Sequence, residues 1–437
     1  MSSDIIEIQS PELNLSIPEI ENISQSNISN ICIPLGTIEN LSPLNIISKV
    51  PQNIVLKIIL PENKVLLFKD LNFTENFFGK IQKEVVKSIS QQVKVKSILF
   101  LFEGENIPEE FSHFNKFLKK LKVLNLSIGL GIPNFLIKNF KEKFLLNIDY
   151  AVIFSFGFPY PPSLDSSLLN TYRMKTTEKE LVSFSIPFYF AISVANGAWI
   201  SSNRKLENYI LGMPFNSISE SSSLDFIGFN LSSTTKNPQY IFEAKNNIKI
   251  GNYTINKGNN LNIMLFSYEQ ARTSVGNQSR FLNQNYLGRY YHFYSTEEND
   301  GILNFNTWIS YLKAQITSPM FDLQINKEAG GYSLVLSNLT GLYSDFSREQ
   351  NYLEWEFKKG YFKEGVLGDF SRFRFYSDEE EVMPIQADKV RFYENFIAPF
   401  ETIKTGQIKV SGELQGIFRV SYLLPGGKQK VEILKFK

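Results

Sequence analysis

The chain has 437 residues with 45 basic and 44 acidic side chains, a formal charge of +1, so no overall field draws it to nucleic acid, although a local patch is compatible with that total. Cys32 is the only cysteine, which excludes an intramolecular disulfide and a cysteine-rich zinc site, and the two histidines, His113 and His292, leave almost no material for a histidine triad or a multi-histidine metal centre. Chemistry here has to run on carboxylates, tyrosines or amides, with no cofactor implied.

No segment offers 18 uncharged apolar residues, so no membrane-spanning segment is expected. The first 28 residues or so, rich in Ser, Asn, Pro and Glu, read as a mobile leader with little packing, because each short apolar run is broken before it becomes periodic. They lack the basic residues and apolar core of a secretion signal, which leaves a cytoplasmic protein or an exported one whose leader has been removed.

After the leader, "NICIPLGTI" and "NIVLKIILP" read as strands, and "TENFFGKIQKEVVKSISQQ" spaces Phe77, Phe78, Ile81, Val85 and Ile89 at helical intervals. "KSILFLFEGEN" is the next strand, ending abruptly at Glu103-Gly104-Glu105. A helix follows in "IPEEFSHFNKFLKKLKVL", where Asn106 and Glu109 have the spacing of a capping pair and Pro108 sits in the first turn. "LNLSIGLGIP" is a strand, "NFLIKNFKEKFLLN" a helix, and "DYAVIFSFGFPYPP" a strand running into a proline-rich loop.

Strands then recur in "IPFYFAISVA", "LDFIGFN", "LNIMLFSY" and "GRYYHFYS", with a hairpin in "IKIGNYTINKGNN" and a helix around "NTWISYLKAQI". Alternating strands and helices argue for parallel strands joined by helical crossovers. About eight strands in roughly 290 residues from Ile31 is the size of a (β/α)8 TIM-like barrel, with one or two crossovers replaced between Leu206 and Asn260. From about Gly330 only short alternating strands and turn glycines remain, which predicts an antiparallel β-sandwich closed by a Pro-Gly-Gly hairpin. The expected organisation is a leader over 1–28, a barrel over 29–328 and a sandwich over 329–437.

In such a barrel the active site lies where strands end at the carboxyl edge, and Glu103 and Glu105 occupy that edge. A spacing of two puts them on one face, roughly 6 to 7 Å apart, where mutual repulsion raises one pKa and leaves an acid beside an ionised neighbour. Glycosidases need that division, with Glu105 as donor and Glu103 ionised. A solvated strand end, favoured by the following helix N-terminus, accounts for the same letters, as does a pair that holds a ligand or cation.

Other strand-end residues suited to a sugar are Asn196 and Trp199 in "SVANGAWISSN", Tyr268 and Glu269 in "LFSYEQ", and His292 and Tyr294 in "RYYHFYS". Phe158, Tyr160 and Asp165 could line the same cleft. "SDEEE" at Ser377–Glu381 lacks calcium-loop spacing and reads as a solvated acidic run, so no metal site is assigned. "GLGIP" and "NGAWIS" lack the spacing of a phosphate-binding loop.

Taken in order, "LFEGEN", "LSIGLGIP", "DYAVIFSFG", "PFYFAISVA", "GRYYHFYS" and "YSLVLSNLT" resemble a bacterial domain family of unknown function whose members carry a glycosidase-like barrel followed by a β-rich tail. The family tends to have aspartates where Glu103 and Glu105 stand. The resemblance implies the barrel more than it implies catalysis. Two functions stay open: a glycoside hydrolase, active or degenerate, working through the Glu-Gly-Glu pair, and a non-catalytic module that binds a glycan or protein partner or serves assembly.

Overall fold

The computed structural model describes residues 4–8, 12–26, 28–104, 106–139, 146–154, 186–193, 195–202, 205–231, 238–250, 253–265, 268, 271–272, 285–294, 301–302, 304–357, 360–411, 416–424 and 427–435. Eight parallel strands close into a barrel. In chain order they are Asp4–Ile8, Ile28–Thr37, Asn53–Pro61, Val95–Glu103, Ser127–Pro133, Tyr150–Phe154, Phe188–Ser193 and Tyr286–Tyr294. The first pairs with both the second and the eighth, which closes the ring.

The expected leader is therefore a correction: Asp4–Ile8 is the first barrel strand and Ile17–Gln25 is a helix. Five residues containing two acids look like an interrupted polar run, yet the whole strand is buried. Ile6 and Ile8 point to the surrounding shell and Ile5 into the barrel. Asp4 accepts the backbone N–H of Arg289 at 2.9 Å.

The apolar letters on both faces of the strands have the same cause. In the fourth strand Ile98, Phe100 and Phe102 belong to the shell, whereas Leu99 and Leu101 belong to the interior, the two-sided burial typical of parallel sheets. Much of the phenylalanine content is consumed in that shell. Phe100 meets Phe114 edge-on at 5.1 Å, and Phe77 lies 5.4 Å from Phe117, uniting the strand with helices Leu71–Ser90 and Phe111–Leu121. The second helix starts at Phe111, after the expected Asn106/Glu109 cap, which it does not use.

"LDFIGFN" and "LNIMLFSY" are not barrel strands. Leu224–Leu231 and Asn260–Met264 belong to a five-stranded antiparallel sheet inserted between the seventh and eighth barrel strands, together with Gly197–Ser202, Lys205–Leu211 and Pro238–Ala244. A hairpin of Ile248–Ile250 and Tyr253–Ile255 lies within the insertion, as the sequence predicts. Short apolar runs carry no mark of parallel or antiparallel pairing.

The C-terminal region is two antiparallel sheets enclosing a second core of Leu323, Leu334, Trp355, Phe362, Phe392 and Phe418. The final hairpin pairs Gly416–Leu424 with Lys428–Leu434, and Gly427 turns it at φ 82°. The "SDEEE" run is a tight turn, two of whose acids are paired: Glu379 with Lys389 and Arg391, Glu381 with Arg374. Rings of Phe215, Phe226, Tyr240 and Phe242 surround Phe346 at 4.8 to 5.9 Å and join the insertion to the chain entering the C-terminal region.

Candidate functional site

Inside the barrel the lower layers are packed. Tyr150 folds over Gly129, where a Cβ would lie 2.4 Å from its ring, which explains the first glycine of "GLGIP". The Tyr150 and Ser97 hydroxyls are 3.0 Å apart.

The layer toward the carboxyl ends is charged. Glu7 from the first strand, Lys57 from the third and Tyr290 and His292 from the eighth converge there, all buried. The Lys57 ammonium donates to Glu7 Oε1. Glu7 Oε2 accepts from Tyr290 O–H at 2.6 Å and from His292 Nδ1–H at 2.5 Å. The Tyr290 hydroxyl also lies 3.2 Å from Cys32 Sγ. Phe154 closes the group from the sixth strand, edge-on to His292 at 5.7 Å.

Burial by itself raises the pKa of Glu7, but His292, Lys57 and their hydrogen bonds outweigh it and hold the carboxyl well below its ordinary value. Burial pulls His292 the other way, below its ordinary value despite Glu7. Burial also pushes the Cys32 thiol and the Tyr290 phenol up, and both stay protonated.

Glu103 ends the fourth strand with the same parity as the inward-facing Leu99 and Leu101. It is partly buried at the carboxyl end of the barrel. Desolvation raises its pKa, opposed by the positive charge of Lys57. The glycine that follows is sterically required: a Cβ on Gly104 would stand 2.6 Å from Glu62 Cβ and 2.8 Å from the Phe102 ring. Glu62 Oε2 accepts the N–H of Asn106 at 3.2 Å and so fastens the turn beyond the strand.

The other sequence candidates are dispersed. Asn196 is fully buried at the start of the insertion, where its side-chain amide donates to the Met213 carbonyl at 3.3 Å. Trp199 is half-buried on a strand of the inserted sheet, opposite Tyr209 and Asn262. Tyr268 packs against Trp308, Tyr311 and Tyr343, accepts the Asn304 N–H at 3.2 Å, and lines a crevice with Ser318 and Leu424 rather than the barrel mouth. Tyr294 pairs through its backbone with Ile8 at the end of the eighth strand. Glu105, Glu269, Phe158, Tyr160 and Asp165 lie outside the described residues.

Sequence reasoning missed Glu7 and Lys57. The available signal was a lysine inside the apolar run "NIVLKIILP", which a two-sided buried strand admits only with a partner.

No protein-family model matches the chain, and no curated protein matches it. Among solved structures it is similar to the spore cortex-lytic enzyme SleL of Bacillus cereus, at 12% identity and a TM-score of 0.44, over 72% of this chain and 74% of that one. SleL of Bacillus megaterium QM B1551 gives 10% identity and a TM-score of 0.43 over the same shares. A glycoside hydrolase family 18 N-acetylglucosaminidase from Paenibacillus barengoltzii gives 8% and 0.41, over 67% of this chain and 95% of that one. The barrel assignment rests on the closed ring of strands in this chain itself.

Proposed function

We propose that the chain is a carbohydrate-active barrel protein whose carboxyl-end mouth takes a glycan, with Glu103 as the proton donor of a hydrolytic reaction. The observation that carries this reading is the position of Glu103, an inward-facing carboxyl at the end of a barrel strand, partly withdrawn from water. A raised pKa is what a general acid needs near neutral pH. The sugar class follows from the resemblance of the strand series to glycosidase-like barrels. The roles expected from sequence are reversed on this reading: desolvation favours Glu103 as the proton donor, and the part of nucleophile or base falls to Glu105.

A hydrolysis and glycan-binding screen of the wild type beside Glu103→Gln and Glu105→Gln tests it. Loss of a general acid lowers turnover by about 10²-fold or more while glycan binding persists. Turnover in Glu103→Gln equal to wild type removes Glu103 from the reaction. Binding with no turnover in the wild type selects the non-catalytic module, and neither binding nor turnover moves the function to protein assembly.

A further inference from the structure

A crevice of about 140 Å³ opens where the helix Phe305–Leu312 and the chain after it meet the C-terminal region. Its walls are the rings of Tyr268, Tyr311 and Tyr343, with Thr317 and Ser318 on the segment beyond the helix and Leu424 at the end of a strand of the last hairpin. The rings are not stacked on one another: Tyr268 is tilted 49° to Tyr311 and 58° to Tyr343, with centroids 5.7 and 6.4 Å apart. Rings splayed in this way line a hollow instead of closing it. We propose that this crevice is a second binding site, separate from the barrel mouth, that takes one pyranose ring of a glycan. The sugar class rests on the reading of the chain as carbohydrate-active, whereas the site itself does not depend on the chemistry assigned to Glu103.

Size, polarity and charge select that occupant. An apolar cavity of about 150 Å³ takes one benzene ring, so a crevice of about 140 Å³ admits a single six-membered ring. It is open on one side, where Thr317 is exposed and Leu424 partly so, and a glycan chain can leave there. Five of the eight residues that line it carry a hydroxyl and the other three are apolar, the mixture that matches a ring with C–H faces and a hydroxyl perimeter. A hydrocarbon ring would answer only the apolar part. Lys430 and Arg272, cations that touch the lining, are both engaged: Lys430 donates to Ser318 Oγ at 2.8 Å and pairs with Glu432 at 2.5 Å, and Arg272 lies over the Tyr311 ring at 5.9 Å. The ligand that fits is therefore neutral. Tyr268 accepts the Asn304 N–H at 3.2 Å and Tyr311 stacks on Trp308 at 6.4 Å, so two of the walls are held in place before anything binds, which lowers the ordering cost of binding.

The test is a titration of the full chain with methyl β-glucopyranoside, followed by ¹³C NMR of leucine methyl groups. Leu342 and Leu424 both line the crevice, and their resonances are assigned by their loss in Leu342→Met and Leu424→Met. Saturable shifts at both, with half-saturation in the millimolar range, are the expected result for a single ring. In Leu424→Trp, which fills the crevice, the Leu342 shifts vanish or need about 10-fold more ligand; Thr317→Trp, at the exposed rim, decides the same point should Leu424→Trp not fold. The proposal is overturned by the absence of saturable shifts in the wild type, or by Leu342 shifts that persist unchanged in the filled variant. Half-saturation by cyclohexanol, a ring of the same size with one hydroxyl, at a lower concentration than the pyranoside overturns it as well, since the crevice is then an apolar cavity. Glycan turnover separates this from the functional reading: crevice shifts as expected, with no loss of turnover in Glu103→Gln, sustain this site and sink the proton-donor role. Turnover lost in Glu103→Gln with no shift at Leu342 or Leu424 does the reverse.

Discussion

Two regions of this molecule bury carboxylates, and they treat them in opposite ways. In the barrel interior Glu7 is matched by Lys57 and two further donors, and its pKa is held down. Where the insertion meets the C-terminal region, Asp345 receives the Tyr240 hydroxyl and the Phe346 N–H, and Glu401 receives the Ala398 N–H, with Glu394 and Glu220 as like-charged neighbours. Among the described residues neither is in a salt bridge, and burial raises Asp345 to about 6 and Glu401 to about 7. Depth alone does not decide the state of these acids; Glu7 differs from Asp345 and Glu401 in the cation buried with it.

The largest effect that sharpens this contrast is expected from Lys57→Met. It leaves Glu7 as a buried anion without its cation, and removing one partner of a buried pair costs about 3–5 kcal/mol. Asp345→Asn at pH 5, where the carboxyl is already protonated, should cost less than about 1 kcal/mol. Denaturant unfolding measures both, and equal losses would break the comparison.

Next comes Phe346→Ala, with a loss of about 3 kcal/mol or more from the cavity left among Phe215, Phe226, Tyr240 and Phe242. The same cavity removes the packing that shields Asp345. Its midpoint should drop toward the ordinary carboxylate value, and a midpoint that stays near 6 would locate the cause elsewhere.

The pH dependence separates the regions by sign. Unfolded, Asp345 and Glu401 ionise near their ordinary values, while folded they hold their protons to about 6 and about 7. Between roughly pH 4 and 7 the folded state binds more protons, so stability falls as pH rises, by at most about 1.4 kcal/mol per pH unit for each group. Glu7 works the other way: its contribution is present above its ordinary pKa and is lost as pH falls through the lowered one. Glu401→Gln should flatten the neutral slope in thermal melts and leave the acid limb unchanged; a flattened acid limb would contradict the assignment.

How far these regions were legible in the sequence follows from the range of the interactions. The barrel strands from "NICIPLGTI" to "IPFYFAISVA" are readable because two-sided burial writes nearly continuous apolar runs, and the helices because Phe77, Ile81 and Val85 keep their spacing. Asp4–Ile8 is not readable that way: two acids in five residues look solvated until Arg289 and Lys57, far along the chain, supply their partners. The inserted strands carry the same apolar letters as barrel strands, and only pairing tells them apart. In the mouth Glu103 was visible as a charge ending an apolar run, whereas the Glu7–Lys57 pair depends on a register that only the closed ring creates. Asn196 and Tyr268 were drawn into the site by their position near strand ends, but the amide and the ring are occupied in packing the insertion and the helix Phe305–Leu312 that follows the eighth strand.

A smaller loss is expected from Gly104→Ala, about 1–3 kcal/mol, since the added carbon has to displace Glu62 or Phe102. The substitution acts on the turn that carries Glu103 and leaves the Glu7–Lys57 pair below it untouched. A shifted Glu103 titration with an unchanged Glu7 is therefore the expected NMR result, and parallel shifts in both would show that the two layers move together.

The smallest effect belongs to a pair that resembles Glu7–Lys57 in chemistry and differs in setting. Lys409 Nζ stands 2.7 Å from Glu364 on one of the C-terminal sheets, with the two side chains 43% and 57% exposed. Water solvates both charges when the pair is broken, and ordering two long side chains offsets the weak attraction that remains. Lys409→Ala should change stability by less than about 1 kcal/mol, and by less still at high salt. Measured beside Lys57→Met in the same buffer, it isolates burial as the variable, since the ion types are the same and the contacts are both close. A loss at Lys409 that approaches the loss at Lys57 would mean that contact geometry, rather than the removal of water, governs how this protein responds to a broken ion pair.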